Sequence, residues 1–253
     1  MKISIITIVH NGAGTISHTF DSILRQTYKN IEYIVVDGAS TDHTVDIIKA
    51  YEPAFGGCMK WISEPDRGLY DAINKGIGMA TGDVVGCLNS DDFYTRDDVL
   101  SVVADALKDE CIDAVFGDVH FVKPYNLDKC MRYYSSKRFH PRFLRIGFMP
   151  AHPSFYIRRR CYEKYGIYSL DYTISSDFDL MVRFFYKYRL AYRYIPMDFV
   201  TMRTGGTSTK SIKSRIQLNK EDIKACRKYG VYTNWVYMLS RYCYKIKEFI
   251  TRS

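Results

Sequence analysis

The sequence has no CxxC cysteine pair, no recognisable signal peptide and no long apolar run, and each absence argues against a class of protein. Seven cysteines without such a pair indicate neither a disulfide framework nor a zinc site. No apolar run approaches the ~20 residues that a membrane-spanning helix needs. We therefore expect a cytoplasmic protein, with peripheral contact to the inner face of the cytoplasmic membrane as the remaining membrane option.

Positive charge is in excess, since 36 Lys and Arg stand against 28 Asp and Glu, a net charge of +8. This excess favours anionic partners, among which are phosphates, nucleic acid and an acidic membrane surface. The 253 residues suffice for one large domain, or a domain with a small appendage, with a real core.

The first half of the chain alternates apolar, β-rich runs with segments of helical periodicity. The runs predict strands at 3–9, 31–36, 58–62 and 84–88, and the periodic segments predict helices at 15–28, 43–51 and 69–80. Thr95 is predicted to cap the next helix. This order predicts a doubly wound, mostly parallel α/β sheet, which binds ligands at the carboxyl ends of its strands.

The second half is less regular. Short strands are predicted at 112–116, 120–122, 154–157, 193–196 and 199–202, and a helix at 176–188. The last two of these strands are expected at a sheet edge, and the remaining C-terminal part is expected to be helical and basic.

Two adjacent carboxylates, Asp91 and Asp92, follow the apolar strand at 84–88. Such a pair at the end of a buried strand is costly unless a positive group binds it. A divalent cation carrying a diphosphate is a natural partner, because Mg²⁺ and Mn²⁺ prefer hard oxygen ligands. The alternative is a solvated turn with an Asp at a helix N-cap.

A glycine pair, Gly12 and Gly14, follows the first strand and opens a helix, as in a dinucleotide-binding fingerprint with Asp37 as the ribose ligand. Ser17 stands where the third glycine belongs, which weakens the match. A nicotinamide-dependent oxidoreductase is therefore one alternative function, although it gives Asp91 and Asp92 no role.

A longer pattern is more specific. It consists of VVDGASTD at 35–42, SEPDRGLYDAINKG at 63–76, ATG at 80–82 and LNSDD at 88–92. Together these segments resemble the family 2 glycosyltransferases, which are inverting enzymes of the GT-A fold, and the match is closest to bacterial members that build polysaccharide or O-antigen units. The resemblance covers residues 3–118 well and the remainder more loosely.

The resemblance implies transfer of a sugar from a nucleotide diphosphate sugar, a UDP-sugar first, to a hydroxyl of a glycan or lipid-linked acceptor. It also implies a divalent cation, Mn²⁺ or Mg²⁺, and no nucleic-acid partner. We predict a GT-A catalytic domain over 1–209, with a nucleotide-sugar half at 1–118, an acceptor half at 119–209, and a basic helical extension at 210–253.

Carried over by position, the resemblance makes Asp91 the main metal ligand, with Asp92 beside it. The predicted donor-binding residues are Ile8, His10, Asp37, Asp66, Arg67 and Asn89. Gly38 replaces an acid that often contacts the nucleobase, so the base is left open. His10 is predicted to stack on the base, and an exposed strand-end His is its alternative.

Asp177 matches the general base of the family, in a Ser-Asp-Phe-Asp segment at the start of a helix. The alternative is an acid favoured only by the helix macrodipole. On the acceptor side and in the loop after the last strand, further candidates are Asp179, His152, Gly205 and Gly206.

The C-terminal segment predicts an amphipathic basic helix, with Trp235, Leu239, Tyr242, Ile246 and Phe249 at spacings of three and four. It suits an anionic membrane surface, whereas a helix packed on the catalytic domain is the alternative. A non-catalytic, membrane-bound scaffold of a polysaccharide assembly complex is the remaining alternative function, and it leaves the strand-end acids unexplained.

Overall fold

The computed structural model describes residues 1–205 and 212–250, with side chains for all of these except 212 and 243–250. The first half contains β1 (Ile3–Val9), α1 (Ile16–Leu24), β2 (Ile31–Asp37), α2 (Thr44–Tyr51), β3 (Met59–Ser63), α3 (Leu69–Met79), β4 (Val84–Cys87), β5 (Phe93–Tyr94) and α4 (Val99–Ala106). The second half contains β6 (Ala114–Lys123), β7 (Asn126–Tyr134), β8 (Phe155–Arg158), α5 (Arg159–Tyr165), α6 (Ser176–Met181), β9 (Tyr192–Arg203), α7 (Ile212–Lys228) and α8 (Trp235–Ile250).

Within the described residues, nine strands form one sheet in the order β3-β2-β1-β4-β8-β6-β9-β5, with β7 paired to β6. The strands β3, β2, β1 and β4 run parallel, and β9 runs parallel to β6. β8 is antiparallel to both β4 and β6. The predicted α/β class with a mostly parallel sheet is confirmed.

The central strand β1 is buried along its whole length, as its run of Ile, Val and Thr predicts for a parallel strand covered on both faces. Successive side chains enter opposite cores, because side chains alternate across a strand. Ile5 joins Phe20 of α1 in one core, and Ile6 joins Ile73 of α3 in the other.

The second half of the sheet differs from the sequence-based prediction. The segments 112–116 and 120–122 fall largely in one strand, β6, and 193–196 and 199–202 fall in one strand, β9, which lies inside the sheet between β6 and β5. A register shift opposite Pro196 keeps the pairing continuous, because a bulge does not need the N–H that proline lacks. Thr95 does not cap α4: its N–H bonds to Phe199 O at 3.0 Å, and α4 begins after Asp98.

A buried carboxylate, Glu32, joins the amino ends of the parallel strands, at the sheet edge opposite the predicted ligand site. It accepts hydrogen bonds from Ser4 Oγ at 2.7 Å, Thr81 N at 2.7 Å and Lys60 Nζ at 2.9 Å. Burial acts to raise the pKa of Glu32, but these bonds outweigh it and hold the pKa far below its usual range. Glu32 therefore stabilises the fold as an ion.

The two C-terminal helices pack on the domain. Cys226 of α7 and Met238 of α8 are buried in the same core as α6. The guanidinium of Arg241 in α8 bonds to Asp222 Oδ2 and Asn219 Oδ1 of α7, each at 2.6 Å. None of the helices in the described part of the chain combines the length and the apolar character that a membrane span requires.

Candidate active site

Polar side chains gather at the carboxyl ends of β1 to β4, where Asp37 ends β2 and is fully buried. Its Oδ2 accepts from Ser40 N at 3.0 Å and from Ser63 Oγ at 2.6 Å, and its Oδ1 accepts from the Ser40 hydroxyl. Asp37 thus connects the loop after β2 to the end of β3 and stabilises the backbone beneath the predicted donor site.

His10, Gly38 and Asp66 form one side of this edge. His10 Nδ1 lies 3.0 Å from Gly38 O, and since a carbonyl only accepts, Nδ1 carries the proton. A Cβ at position 38 would clash with Asp66 Oδ2. The carboxylate of Asp66 therefore lies against the backbone at the place where the family's usual acid would begin.

Two further predicted donor residues lie nearby with different exposure. Ile8 is nearly buried at the end of β1 and packs into the core beside Val36. The side chain of Arg67 is 78% exposed and pairs with Asp71 at 3.2 Å. A surface pair of this kind contributes little to stability, so the Arg67 guanidinium is available to an anionic ligand.

The turn after β4 holds Asp92 rigidly and leaves Asp91 partly accessible. Asp92 is buried, and its carboxylate accepts from Asn89 Nδ2 at 3.1 Å and from Arg203 N at 3.3 Å. Thr19 Oγ1 of α1 donates to Asp92 O at 2.7 Å. The turn is therefore anchored from α1 and from the end of β9.

Both carboxylates of this turn lack full charge compensation. Burial raises the pKa of Asp91, and burial together with the Asp91 charge raises the pKa of Asp92 well above its usual range. Arg203, whose guanidinium bonds to Asp91 O, opposes both shifts only partly.

A divalent cation fits the hard, partly accessible carboxylate of Asp91, whereas Asp92 is buried and both of its carboxylate oxygens already accept hydrogen bonds. Among the described residues no cluster of three or more His, Cys, Asp or Glu could hold a metal by itself. Asp91 would therefore supply only part of the shell, and phosphate oxygens and water the rest, which is the usual manner of Mg²⁺ at nucleotide sites. The geometry of Asp92, predicted as a second ligand, favours a supporting position beside Asp91.

Asp177 is the second residue of α6 and is half-buried. Its Oδ1 accepts from Phe178 N at 2.8 Å and lies 3.1 Å from the hydroxyl of Tyr70, whose single proton is shared with the closer Ile174 O. Burial raises the pKa of Asp177 to about 6, against the opposing effect of these two bonds. A carboxylate of this pKa is ionised at pH 7 and basic enough for general-base catalysis.

A chain of rings connects Asp177 to His152. The ring of Tyr70 stacks on Tyr168 with centroids 5.7 Å apart, and Tyr168 Oη lies 2.6 Å from His152 Nε2. Burial lowers the pKa of His152 to about 4, so its imidazole is neutral at pH 7. Neutral His152 thus supports the ring stack behind the base.

The comparison with known families decides between the alternative functions. The model of the family described as Glycosyl transferase family 2 matches residues 4–166, which is more than half of the chain. The chain belongs to glycosyl transferase family 2. This assignment replaces both the oxidoreductase and the non-catalytic scaffold interpretations.

Curated relatives of this family 2 glycosyltransferase agree. A PGL/p-HBAD biosynthesis glycosyltransferase of Mycobacterium bovis is 32% identical over 200 residues, which cover 76% of this chain and 73% of the relative. An uncharacterized glycosyltransferase of Nostoc is 37% identical over 94 residues, 37% of this chain and 29% of that protein.

Solved structures show the same fold. S. aureus TarS 1–349 in complex with UDP-GlcNAc matches with a TM-score of 0.67 at 15% identity, over 89% of this chain and 66% of that one. The chain spans only 39% of another TarS chain. The mannosyltransferase PcManGT from Pyrobaculum calidifontis, in complex with GDP-Man and Mn²⁺, matches with a TM-score of 0.65 at 19% identity, over 92% of this chain and 65% of that one.

Three acceptor-side and loop candidates are placed differently from the base. Asp179 is fully buried, with Lys228 Nζ and Tyr229 Oη each 3.3 Å from its carboxylate, so the geometry favours a role in joining α6 to α7 over contact with an acceptor. Gly205 is exposed just after β9, and Gly206 lies outside the described residues.

Three residues at the site of this glycosyltransferase were not singled out from the sequence: Tyr70, Arg203 and Glu221. Tyr70 lies within the 63–76 motif. Glu221 and Asp222 are adjacent acids in an otherwise basic helical segment, a contrast that was visible in the sequence. Arg203 carried no local signal, because its contacts with the Asp91–Asp92 turn depend on the path of β9.

Proposed function

We propose that this glycosyltransferase moves a sugar, with inversion, from a nucleotide diphosphate sugar to a hydroxyl of a glycan or lipid-linked acceptor. The observation that carries the proposal is the half-buried carboxylate of Asp177, whose pKa of about 6 suits a general base. Asp177 lies on α6, next to the stacked rings of Tyr70 and Tyr168.

The donor is proposed to lie across the carboxyl ends of β1 to β4. The exposed His10 ring would stack on the base, Asp66 would bind the base or the ribose, and Asn89 and Arg67 would lie toward the sugar and the diphosphate. Asp37, predicted as a donor ligand, is buried and bonded to Ser40 and Ser63, so it would support the loop and not touch the donor. A UDP-sugar is the first choice, since TarS binds UDP-GlcNAc, and the GDP-Man of PcManGT makes GDP-sugars the second.

A divalent cation, Mn²⁺ or Mg²⁺, is proposed at Asp91, with Asp92 beside it. When bound, such a cation supplies positive charge that stabilises a leaving diphosphate. Arg203 and Asn89 hold the Asp91–Asp92 turn in place from the protein side.

In the proposed reaction, Asp177 accepts the proton of the acceptor hydroxyl as its oxygen forms a bond to the anomeric carbon. The bond from that carbon to the diphosphate oxygen breaks, and the electron pair leaves with the nucleoside diphosphate. Attack from the face opposite the leaving group inverts the anomeric configuration. A positioned base typically contributes about 10²–10⁴-fold to the rate.

A donor screen tests this function by measuring release of nucleoside diphosphate from UDP- and GDP-sugars, with and without Mn²⁺, in wild type and Asp177→Asn. Transfer by Asp177→Asn should fall by on the order of 10²-fold or more, with donor affinity unchanged. Asp171→Asn is the matched control, because Asp171 is an exposed acid of the preceding loop that bonds to Ser169. Equal activity of both variants would reject Asp177 as the base.

We further propose that the enzyme contacts an anionic membrane through an apolar patch on α8 and the turn before it. The patch consists of Tyr232, Trp235, Val236 and Leu239, which are 42% to 77% exposed. Arg145 lies against it, with its guanidinium carbon 5.7 Å from the ring centroid of Tyr232. Exposed aromatic and aliphatic side chains beside cationic ones suit an anionic lipid surface, where a lipid-linked acceptor would lie.

A further inference from the structure

The turn that precedes α6 is held by a single carboxylate from α7. The backbone N–H groups of Thr173, Ile174 and Ser175 all donate to Glu221, at 3.0, 2.9 and 2.9 Å. Three consecutive amides that converge on one anion form a concave anion site. Glu221 comes from 46 to 48 positions further along the chain, so this contact fixes tertiary structure.

The opposite side of the same turn faces the base. The carbonyl of Ile174 accepts a hydrogen bond from Tyr70, whose hydroxyl also lies 3.1 Å from Asp177 Oδ1. Ser176 Oγ donates to Ser169 O at 2.7 Å. The backbone that delivers Asp177 is therefore held by Glu221 through its N–H groups and by Tyr70 through its carbonyl.

Glu221 is itself fixed. It is buried, and Gln217 Nε2 of the preceding turn of α7 donates to its Oε1 at 2.7 Å. Burial acts to raise the pKa of Glu221, but the bonds from Gln217 and from the turn outweigh it and hold the pKa below its usual range. Arg241 of α8 anchors the same stretch of α7 through Asn219 and Asp222.

We propose that Glu221 is a positioning residue for the Asp177 base, an inference that rests on the function proposed above. Glu221 touches neither reacting atom. It acts by holding the 173–175 turn so that the carboxylate of Asp177 meets the acceptor hydroxyl in one orientation. A displacement of about 1 Å at such a site is enough to cost up to ~10²-fold in rate.

The charged and titratable groups around Asp177 determine whether its pKa rises or falls when Glu221 is replaced. The hydroxyl of Tyr70 in α3, which is shared between Ile174 O and Asp177, lowers the pKa of Asp177, whereas the negative charge of Glu221 raises it. Tyr168 and Asp222 are the other titratable groups that interact with the Asp177 charge. Replacing Glu221 by an uncharged residue therefore lowers the pKa of Asp177.

The experiment compares Glu221→Gln, Glu221→Asp and Glu32→Gln for kcat, donor KM and the pH dependence of kcat. Glu32→Gln is the matched control, because Glu32 is also a buried carboxylate bonded to backbone N–H, at the opposite edge of the sheet. Glu221→Gln should lower kcat by about 10- to 100-fold, leave the donor KM as in wild type, and move the acid limb of the profile to lower pH. Glu221→Asp keeps the negative charge, so the acid limb of its kcat profile should stay where it is in wild type. Its kcat should lie between those of Glu221→Gln and wild type.

Glu221→Gln behaving like Glu32→Gln, with no shift of the acid limb, would overturn the positioning role. If Glu221→Gln does not fold, Glu221→Asp decides, since a wild-type kcat in that variant would also overturn it. Failure of the proposed function is distinguished by Asp177→Asn, which would then retain full activity whatever Glu221 does.

Discussion

The hydroxyl of Tyr70 lies 3.1 Å from Oδ1 of Asp177, although 107 positions separate the two residues in the chain. Tyr70 belongs to the helix that follows the donor-side strand β3, and Asp177 to the helix of the acceptor side. The Tyr70 hydroxyl, which Ile174 O shares, therefore connects α3 to the turn that carries the proposed base.

Tyr70→Phe should move the acid limb of the kcat profile to higher pH. The Tyr70 hydroxyl favours the ionised form of Asp177, whose pKa of about 6 would therefore rise in the variant, by less than about one pH unit because the single hydroxyl proton is shared with Ile174 O. Activity below the new pKa would fall while activity at pH 8 changes less. Tyr133→Phe is the control, since Tyr133 bonds to a different carboxylate, Asp118, at 2.9 Å. An acid limb that stays in place in Tyr70→Phe would show that the bond does not tune the base.

Asp91→Ala should abolish cation-dependent donor binding and leave the fold intact. Calorimetric titration of UDP in the presence of Mn²⁺ measures the first effect, with Asp105→Ala, an exposed acid of α4, as the control. Because burial disfavours the Asp91 carboxylate, the metal-free Tm of Asp91→Ala should equal or exceed that of wild type. Unchanged affinity with Mn²⁺ would remove Asp91 from the metal site.

Glu32→Gln should lower the free energy of unfolding by about 1–3 kcal/mol at pH 7. The neutral amide cannot replace the charged carboxylate as acceptor for Ser4, Lys60 and Thr81. The folded pKa of Glu32 is lowered from 4.5, so the stability that it contributes is fully present above 4.5 and is lost as the pH falls through the lower folded value. Urea unfolding at a series of pH values should therefore show wild type and variant converging in acid. If the difference in unfolding free energy between wild type and Glu32→Gln did not change with pH, the charge of Glu32 would not be the cause of that difference.

Replacing Trp235 and Leu239 by Ser should weaken binding to anionic vesicles without changing nucleotide binding. The pair lies in the apolar patch, whereas Met238 and Arg241 face the core, so point variants are a cleaner test than deletion of the helix. Tyr125→Ser is the control, because Tyr125 is 79% exposed in the β6–β7 hairpin. Vesicle sedimentation at low and high salt separates apolar anchoring from screened electrostatic contact. If Tyr125→Ser reduced vesicle binding equally, the patch would have no specific role in membrane binding.

The sequence was sufficient to predict the strands and helices of the first half, where local patterns determine structure. β-branched runs and helical periodicity gave β1 to β4 and the helices between them, because side-chain burial in this part follows period and order. The acids at the ends of β2 and β4 were expected at the carboxyl edge, where the structure places Asp37, Asp91 and Asp92.

Contacts between distant segments were beyond sequence reasoning. Glu221 bonds to the turn at 173–175 and Arg203 to the Asp91–Asp92 turn, over 46 to 112 positions, and no periodicity records such pairs. The sequence analysis placed two separate strands at 193–196 and 199–202, and the bulge that joins them into β9 is a property of the pairing of β9 with β6.

The contact of Asp66 with the backbone at Gly38 makes these two positions epistatic. Introducing an acid at 38 alone would force the Asp66 carboxylate to turn away, so the effect of a change at 38 is expected to depend on the residue at 66. Directed evolution of nucleobase preference should therefore vary codons 38 and 66 together in one library, because the residue that suits one position depends on the residue at the other.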